Sequence, residues 1–95
     1  MIEYKKDFFV ISGELNFMTA VKLWNESLAL MAKASQLNFD FTAVTNSNSA
    51  GIALLLEWVK YAKLQQKSIR FNNIPKQLQS IITVSGIAKV LGLAV

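Results

Sequence analysis

Residues 36–58, QLNFDFTAVTNSNSAGIALLLEW, restrict the fold of this chain more than any other stretch. Leu37, Phe39 and Phe41 alternate with polar residues, which is the period of a half-buried strand. A small polar loop follows, Thr45-Asn46-Ser47-Asn48-Ser49, and it opens directly into an almost wholly apolar helix. Hydroxyl and amide side chains ahead of an apolar run suit a helix start, whose first backbone N–H groups lack internal partners. The positive end of the helix dipole lies at the same place and favours a phosphate or an acceptor-rich partner. The corner is therefore either a plain cap or the working surface of a signalling or docking domain.

The flanking sequence builds an α/β pattern around it. Phe8-Phe9-Val10-Ile11 reads as a first strand ended by Ser12-Gly13, with residues 14–17 a short strand or link. Val21, Trp24, Leu28 and Met31 then recur at helical spacing and predict a helix over 19–34. The central helix spans 49–66 and a third strand 68–71. Asn72-Asn73 turns the chain, and Pro75 falls in the first turn of a helix running to about Val84, a position that tolerates proline. Ser85-Gly86 breaks that helix, and 87–91 is expected to form a last short one. Strands separated by helices imply parallel crossovers, hence a sheet with helices packed on it. At 95 residues and 53% hydrophobic content, the chain makes one domain, 1–95, with a real core.

Composition removes many functions. Without cysteine there is no thiolate nucleophile, disulfide or zinc-thiolate site, and without histidine the commonest general base and metal ligand are missing. Glu3, Asp7, Glu14, Glu26, Asp40 and Glu57 stand singly, with no spacing that suggests an acid/base pair. Neither an enzyme nor a metal or cofactor site is expected. The +4 net charge comes from scattered residues, with Lys5-Lys6 the one adjacent basic pair, which argues against a nucleic-acid stripe. The start lacks a secretory signal, and no apolar run reaches the ~18 residues of a spanning helix. A soluble cytoplasmic domain is the expectation. Its positive mean hydropathy, +0.34, suggests that some apolar surface is covered by another molecule.

Projected at about 100° per residue, the central helix places Ile52, Leu55, Val59 and Ala62 together, extended by Leu54, Trp58 and Tyr61. Glu57, Lys60 and Lys63 mark the solvated side. Ala53 and Leu56 lie on that polar side, in line with Ser49 above and Lys60 below. Either another helix of the same domain covers them, or Ser49, Ala53, Leu56 and Lys60 form a docking strip with an apolar centre and polar ends. Gly51, in the first turn, permits close approach of another backbone or eases packing. Trp24 and Trp58 are assigned to the core, and Asp40 to ordering a turn at the end of its strand. Asn46 and Asn48 are turn formers that also stand where a partner would touch. The Pro75 loop is placed beside the Ser49 loop at the carboxyl ends of the strands, where open α/β sheets generally bind.

In these residues the chain resembles a STAS domain, the fold of sulphate-transporter tails and anti-sigma-factor antagonists. The pattern is Asp40-Phe41-Thr42 after a strand, then Asn48-Ser49-Ala50-Gly51-Ile52 at a helix start, with Ser12-Gly13-Glu14-Leu15 near the beginning. Within that superfamily it is most similar to the MlaB-type subunit of the phospholipid-transporting ABC system that maintains outer-membrane lipid asymmetry. Leu23-Trp24, Ala53-Leu54-Leu55-Leu56-Glu57-Trp58, Pro75-x-Gln77-Leu78 and Val84-Ser85-Gly86-Ile87 carry this likeness. The resemblance implies a small, mixed, mostly parallel sheet packed by three to four helices. It also implies a non-enzymatic cytoplasmic subunit that binds and supports the transporter's ATPase subunit and reaches the inner membrane only through that complex. In the family the hydroxyl residue at this helix start lies in the contact with the ATPase, and Ser49 occupies that position. With the strip and the loop before it, the expected partner-binding residues are Ser47, Asn48, Ser49, Gly51, Ala53, Leu56 and Lys60. The chain has no G-x-x-x-x-G-K-[ST] phosphate loop, so nucleotide chemistry belongs to the partner.

The alternative within the superfamily is a phosphorylation-switched anti-sigma-factor antagonist, with Ser49 as acceptor. Such proteins typically carry Asp before the acceptor, and this chain has Asn48. Ser49 is accordingly read first as a cap and partner contact. A carrier of a hydrophobic ligand ranks last, because so small a domain would have to hollow its core.

Overall fold

The computed structural model describes residues 1–93. Its elements are β1 (Ile2–Lys5), β2 (Phe8–Leu15), α1 (Phe17–Lys33), β3 (Gln36–Ser47), α2 (Ser49–Leu64), β4 (Ser68–Asn72) and α3 (Lys76–Ser85). The four strands form one sheet in the order β1-β2-β3-β4, antiparallel between β1 and β2 and parallel thereafter. Two crossovers stepping the same way along a sheet put their helices on the same face. Accordingly α1 packs on β1 and β2, and α2 on β3 and β4. This is the small mixed, mostly parallel α/β architecture expected, with three helices.

Strand β1 is an addition to the sequence reading. Only Ile2 of its four residues is buried, so no alternation announces it. The hairpin to β2 turns through Lys6 and Asp7, whose φ angles of 47° and 70° suit a two-residue turn of the kind that matches strand twist. Ser12-Gly13 does not end β2, which continues to Leu15. Strand β3, expected over 37–41, is more than twice that length, because the sequence 42–47 pairs with β2 instead of looping. Between Phe39 and Ser47 it holds two residues more than β2 does between Phe9 and Leu15. Register shifts mark the two bulges. Gly13, at φ 88°, sits beside the second, where a Cβ would be strained.

The core is aromatic. Phe39 stacks on Trp58 at 4.1 Å between ring centroids, and on Phe9 at 5.1 Å; Phe41 and Phe71 close around the same group. Each such side chain, taken from water, contributes about 1.5–3 kcal/mol. One polar link crosses this core: the Trp58 indole Nε1–H donates to Ser27 Oγ at 3.0 Å, and that hydroxyl donates to the Trp24 carbonyl at 2.8 Å. Ser27 is wholly buried, so the link bolts α1 to α2 from within.

Helix α1 begins two residues before the expected start, at a capping box in which Asn16 Oδ1 accepts from Thr19 N and Thr19 Oγ1 from Asn16 N. Its buried stripe is Leu23, Ser27 and Met31, flanked by Ala20 and Trp24. Val21 and Leu28, which share the helical spacing of Trp24 and Met31, are exposed. Pro75 stands one position earlier than expected, at the cap of α3, and Gly86 ends that helix in the left-handed region at φ 71°. The last helix expected over 87–91 is a series of turns that buries Leu91.

Candidate functional site

The corner between β3 and α2 is almost without a loop. Ser47 ends the strand, Asn48 caps the helix and Ser49 is its first helical residue. Asn48 is in extended backbone, and its side-chain Oδ1 accepts from the Ala50 amide at 2.8 Å. The cap is therefore Asn48, where the sequence reading put Ser49. A carboxamide suits this role well, since it accepts from the helix start without adding charge. Ser49 stands exposed beside it.

Neighbouring elements pin the corner. The Asn48 amide donates to the Leu15 carbonyl of β2 at 3.1 Å. On the other side the Ser47 amide donates to Gln77 Oε1 of α3 at 2.9 Å, and Ser47 Oγ reaches the same oxygen at 3.4 Å. The start of α3 thus lies beside the corner, as the Pro75 loop was expected to. Asp40 is within β3 and does not end it. Its Oδ1 accepts from the hydroxyl and amide of Thr42 at 2.7 and 3.0 Å, and from Asn73 Nδ2 at 3.1 Å. The Thr42 hydroxyl above all, then Asn73 and the Thr42 amide, hold this carboxyl below its ordinary range. The bond to the Thr42 amide coincides with the first bulge.

Helix α2 presents its faces much as its sequence suggests. Leu54, Leu55, Trp58, Val59 and Ala62 are buried against the sheet. Ala53, Leu56 and Lys60 are exposed, in line with Ser49, and no helix of the described residues covers them. Gly51 departs from the expected contact set. It is buried, and a Cβ there would lie 2.9 Å from a Leu78 methyl and 3.5 Å from a Leu15 methyl. It lets α3 approach α2 closely and offers nothing to a partner. Trp24 is only half buried, its ring at 82° to that of Tyr61 and 6.5 Å from it.

The strip is half of a larger feature that the sequence reading missed. An open groove of about 330 Å³ runs between α1 and α2. Phe17, Ala20, Val21 and Trp24 form one wall; Ser49, Ala50, Ala53, Leu54 and Glu57 form the other. It exists because alanines face each other across the helix pair where larger residues would have closed the gap. Phe17 and Val21 stand at its lip, 80% and 57% exposed. A second apolar stripe on α1, Phe17-Val21-Trp24-Leu28, is the available signal; the sequence reading instead joins Val21, Trp24 and Leu28 to Met31 and leaves Phe17 in the preceding link. Chemically the groove offers an apolar floor with a hydroxyl and a carboxylate at its margin, suited to an apolar side chain from another polypeptide. Leu56 and Lys60 extend the surface beyond it along α2.

Comparison with known proteins accords with this architecture. A chain of the Acinetobacter MlaFEDB complex, in its ATP-bound Vtrans2 conformation, matches with a TM-score of 0.83. That match has 22% identity and covers 99% of both chains. The anti-sigma factor antagonist SpoIIAA in its unphosphorylated form matches with a TM-score of 0.66 and 12% identity, over 98% of both chains. At these identities the likeness is one of fold. No curated protein matches the chain closely enough to count as a relative. The family model described as "Mlab, STAS domain" matches residues 6–93. With nearly the whole sequence matched, this chain belongs to the MlaB-type STAS domain family.

Proposed function

We propose that the chain is a non-enzymatic accessory subunit of an ABC-type phospholipid transporter of the MlaFEDB kind, binding and supporting the ATPase subunit. The observation that carries this reading is the uncovered apolar surface on α1 and α2, on a domain of the MlaB-type family. Exposed Ala53 and Leu56, with Phe17 and Val21 across the groove, would pack against the ATPase subunit. Ser47, Asn48, Ser49 and Lys60 would form the polar rim. Among the described residues no helix is long and apolar enough to cross a membrane. The subunit would sit on the cytoplasmic side of the inner membrane, held there by the complex.

The test is binding of the ATPase subunit of the same organism's transporter to wild-type protein and to Leu56→Asp. A carboxylate desolvated at the centre of a contact is costly, so affinity is expected to fall by at least tenfold while the fold is kept. Equal affinity of the two proteins would remove the α2 strip from the interface. The phosphorylation-switched alternative has weaker support: Ser49 is exposed, but its neighbour is the neutral Asn48, already engaged with Ala50.

A further inference from the structure

The sequence motif Pro75-x-Gln77-Leu78 has a structural place that the docking reading does not yet use. Strand β4 pairs with β3 only as far as Asp40, opposite Asn72. Beyond that point the last residues of β3 have no strand on that side, and a backbone N–H there needs another acceptor. Gln77 supplies it, through its Oε1 at 2.9 Å from the Ser47 amide. The Ser47 amide also reaches Asn46 Oδ1 at 3.0 Å, but that bond stays within β3 and fixes nothing relative to α3. The next residue, Leu78, is fully buried with its methyls in the space left by Gly51. Pro75, in extended backbone, starts the helix that carries both side chains. One turn of α3 therefore grips the corner twice, by a hydrogen bond at the end of β3 and by packing at the first turn of α2.

We infer that Gln77 is a positioning residue: it holds the Ser47–Asn48–Ser49 corner in the orientation in which the ATPase subunit is bound. The inference rests on the docking reading above. With the bond to Leu15 on one side and to Gln77 on the other, the corner is fixed from both flanks. Without Gln77 the α3 side holds only the first turn of α2, through Leu78 against Gly51, and the end of β3 must be ordered again in each binding event. The lost bond corresponds to a roughly three- to tenfold weaker Kd.

Three variants of the full chain separate this from simple packing. Gln77→Leu keeps the shape and loses the acceptor; Gln77→Glu keeps the acceptor at the second position of a helix, where a negative charge is favourable. Leu56→Asp is the control for docking itself. The expected result is a Kd for the ATPase subunit three- to tenfold weaker in Gln77→Leu and restored in Gln77→Glu. Hydrogen exchange at the Ser47 amide should rise severalfold in Gln77→Leu alone. If Leu56→Asp fails to bind while Gln77→Leu binds as wild type, the positioning role is overturned and docking stands. If Leu56→Asp binds as wild type, the α2 docking reading falls and the positioning role falls with it. Unchanged exchange at Ser47 together with an unchanged Kd in Gln77→Leu overturns the inference, Asn46 Oδ1 then being a sufficient acceptor for that amide.

Discussion

Replacing Ser27 with alanine tests the internal bolt that keeps the two walls of the groove together. The Ser27 hydroxyl hydrogen is directed at the Trp24 carbonyl, which leaves its lone pairs for the Trp58 indole N–H. Deleting the hydroxyl leaves that N–H without an acceptor, since Ser27 is wholly buried and Trp58 is sealed by the aromatic core. An orphaned buried donor costs about 1–3 kcal/mol. Against this, alanine in a helix interior gains about 0.5 kcal/mol over serine. The net expectation is a loss of about 1–2 kcal/mol. Urea unfolding followed by circular dichroism would show it as a midpoint lowered by roughly 0.5–1 M. The decisive comparison is the same change made in Trp58→Phe. With no indole to orphan, Ser27→Ala should then cost less than about 0.5 kcal/mol, giving a coupling of about 1–2 kcal/mol. Full stability of the single variant, or equal losses in both backgrounds, would refute the reasoning.

Two further outcomes follow from the site. Asn48→Ala should lose about 1 kcal/mol of stability, because its side chain caps α2, whereas Ser49→Ala should be nearly neutral by thermal unfolding. The reverse ranking would return the cap to Ser49. Asp40 has a carboxyl whose folded pKa is depressed, so its contribution is present above the unfolded value of ~3.9 and is lost as pH falls through the lower folded value. Acid titration of stability should therefore be shallower below pH ~4 in Asp40→Asn than in wild type, and superimposable curves would contradict the hydrogen-bond assignment.

The parts of the fold that could be read from the sequence are those where one physical signal dominates. Phe39 and Phe41 alternate cleanly, and the apolar run of α2 has one obvious inner face. Ala53 and Leu56 stood out because they broke that pattern, and they are exposed. In α1 two stripes have helical spacing, and period alone cannot choose between them. The sheet takes the one containing Ser27, a polar residue whose partner lies 31 positions away. Strand β1 is an edge with one buried side chain, stabilised by pairing that local composition does not encode. The polar end of β3 read as loop for a similar reason: its backbone pairs with β2 while its side chains largely face water. The groove needed two helices whose relative placement only the tertiary structure supplies. Gln77 carried no signal in its chemistry and appeared solely as part of a family motif.

The paired bulges of β3 have a consequence for how this domain tolerates changes in length. Each bulge sets two residues of β3 against one of β2, so the extra residue is absorbed without moving the pairs that follow it. Losing one alone would leave Ser47 opposite Leu15 and the helix start facing as it does now. Losing both would give an unbroken ladder with the same end point. Single insertions and deletions at these two places are thus compatible with the fold, which gives a lineage a way to vary the strand while the contact surface and the aromatic interior stay where they are.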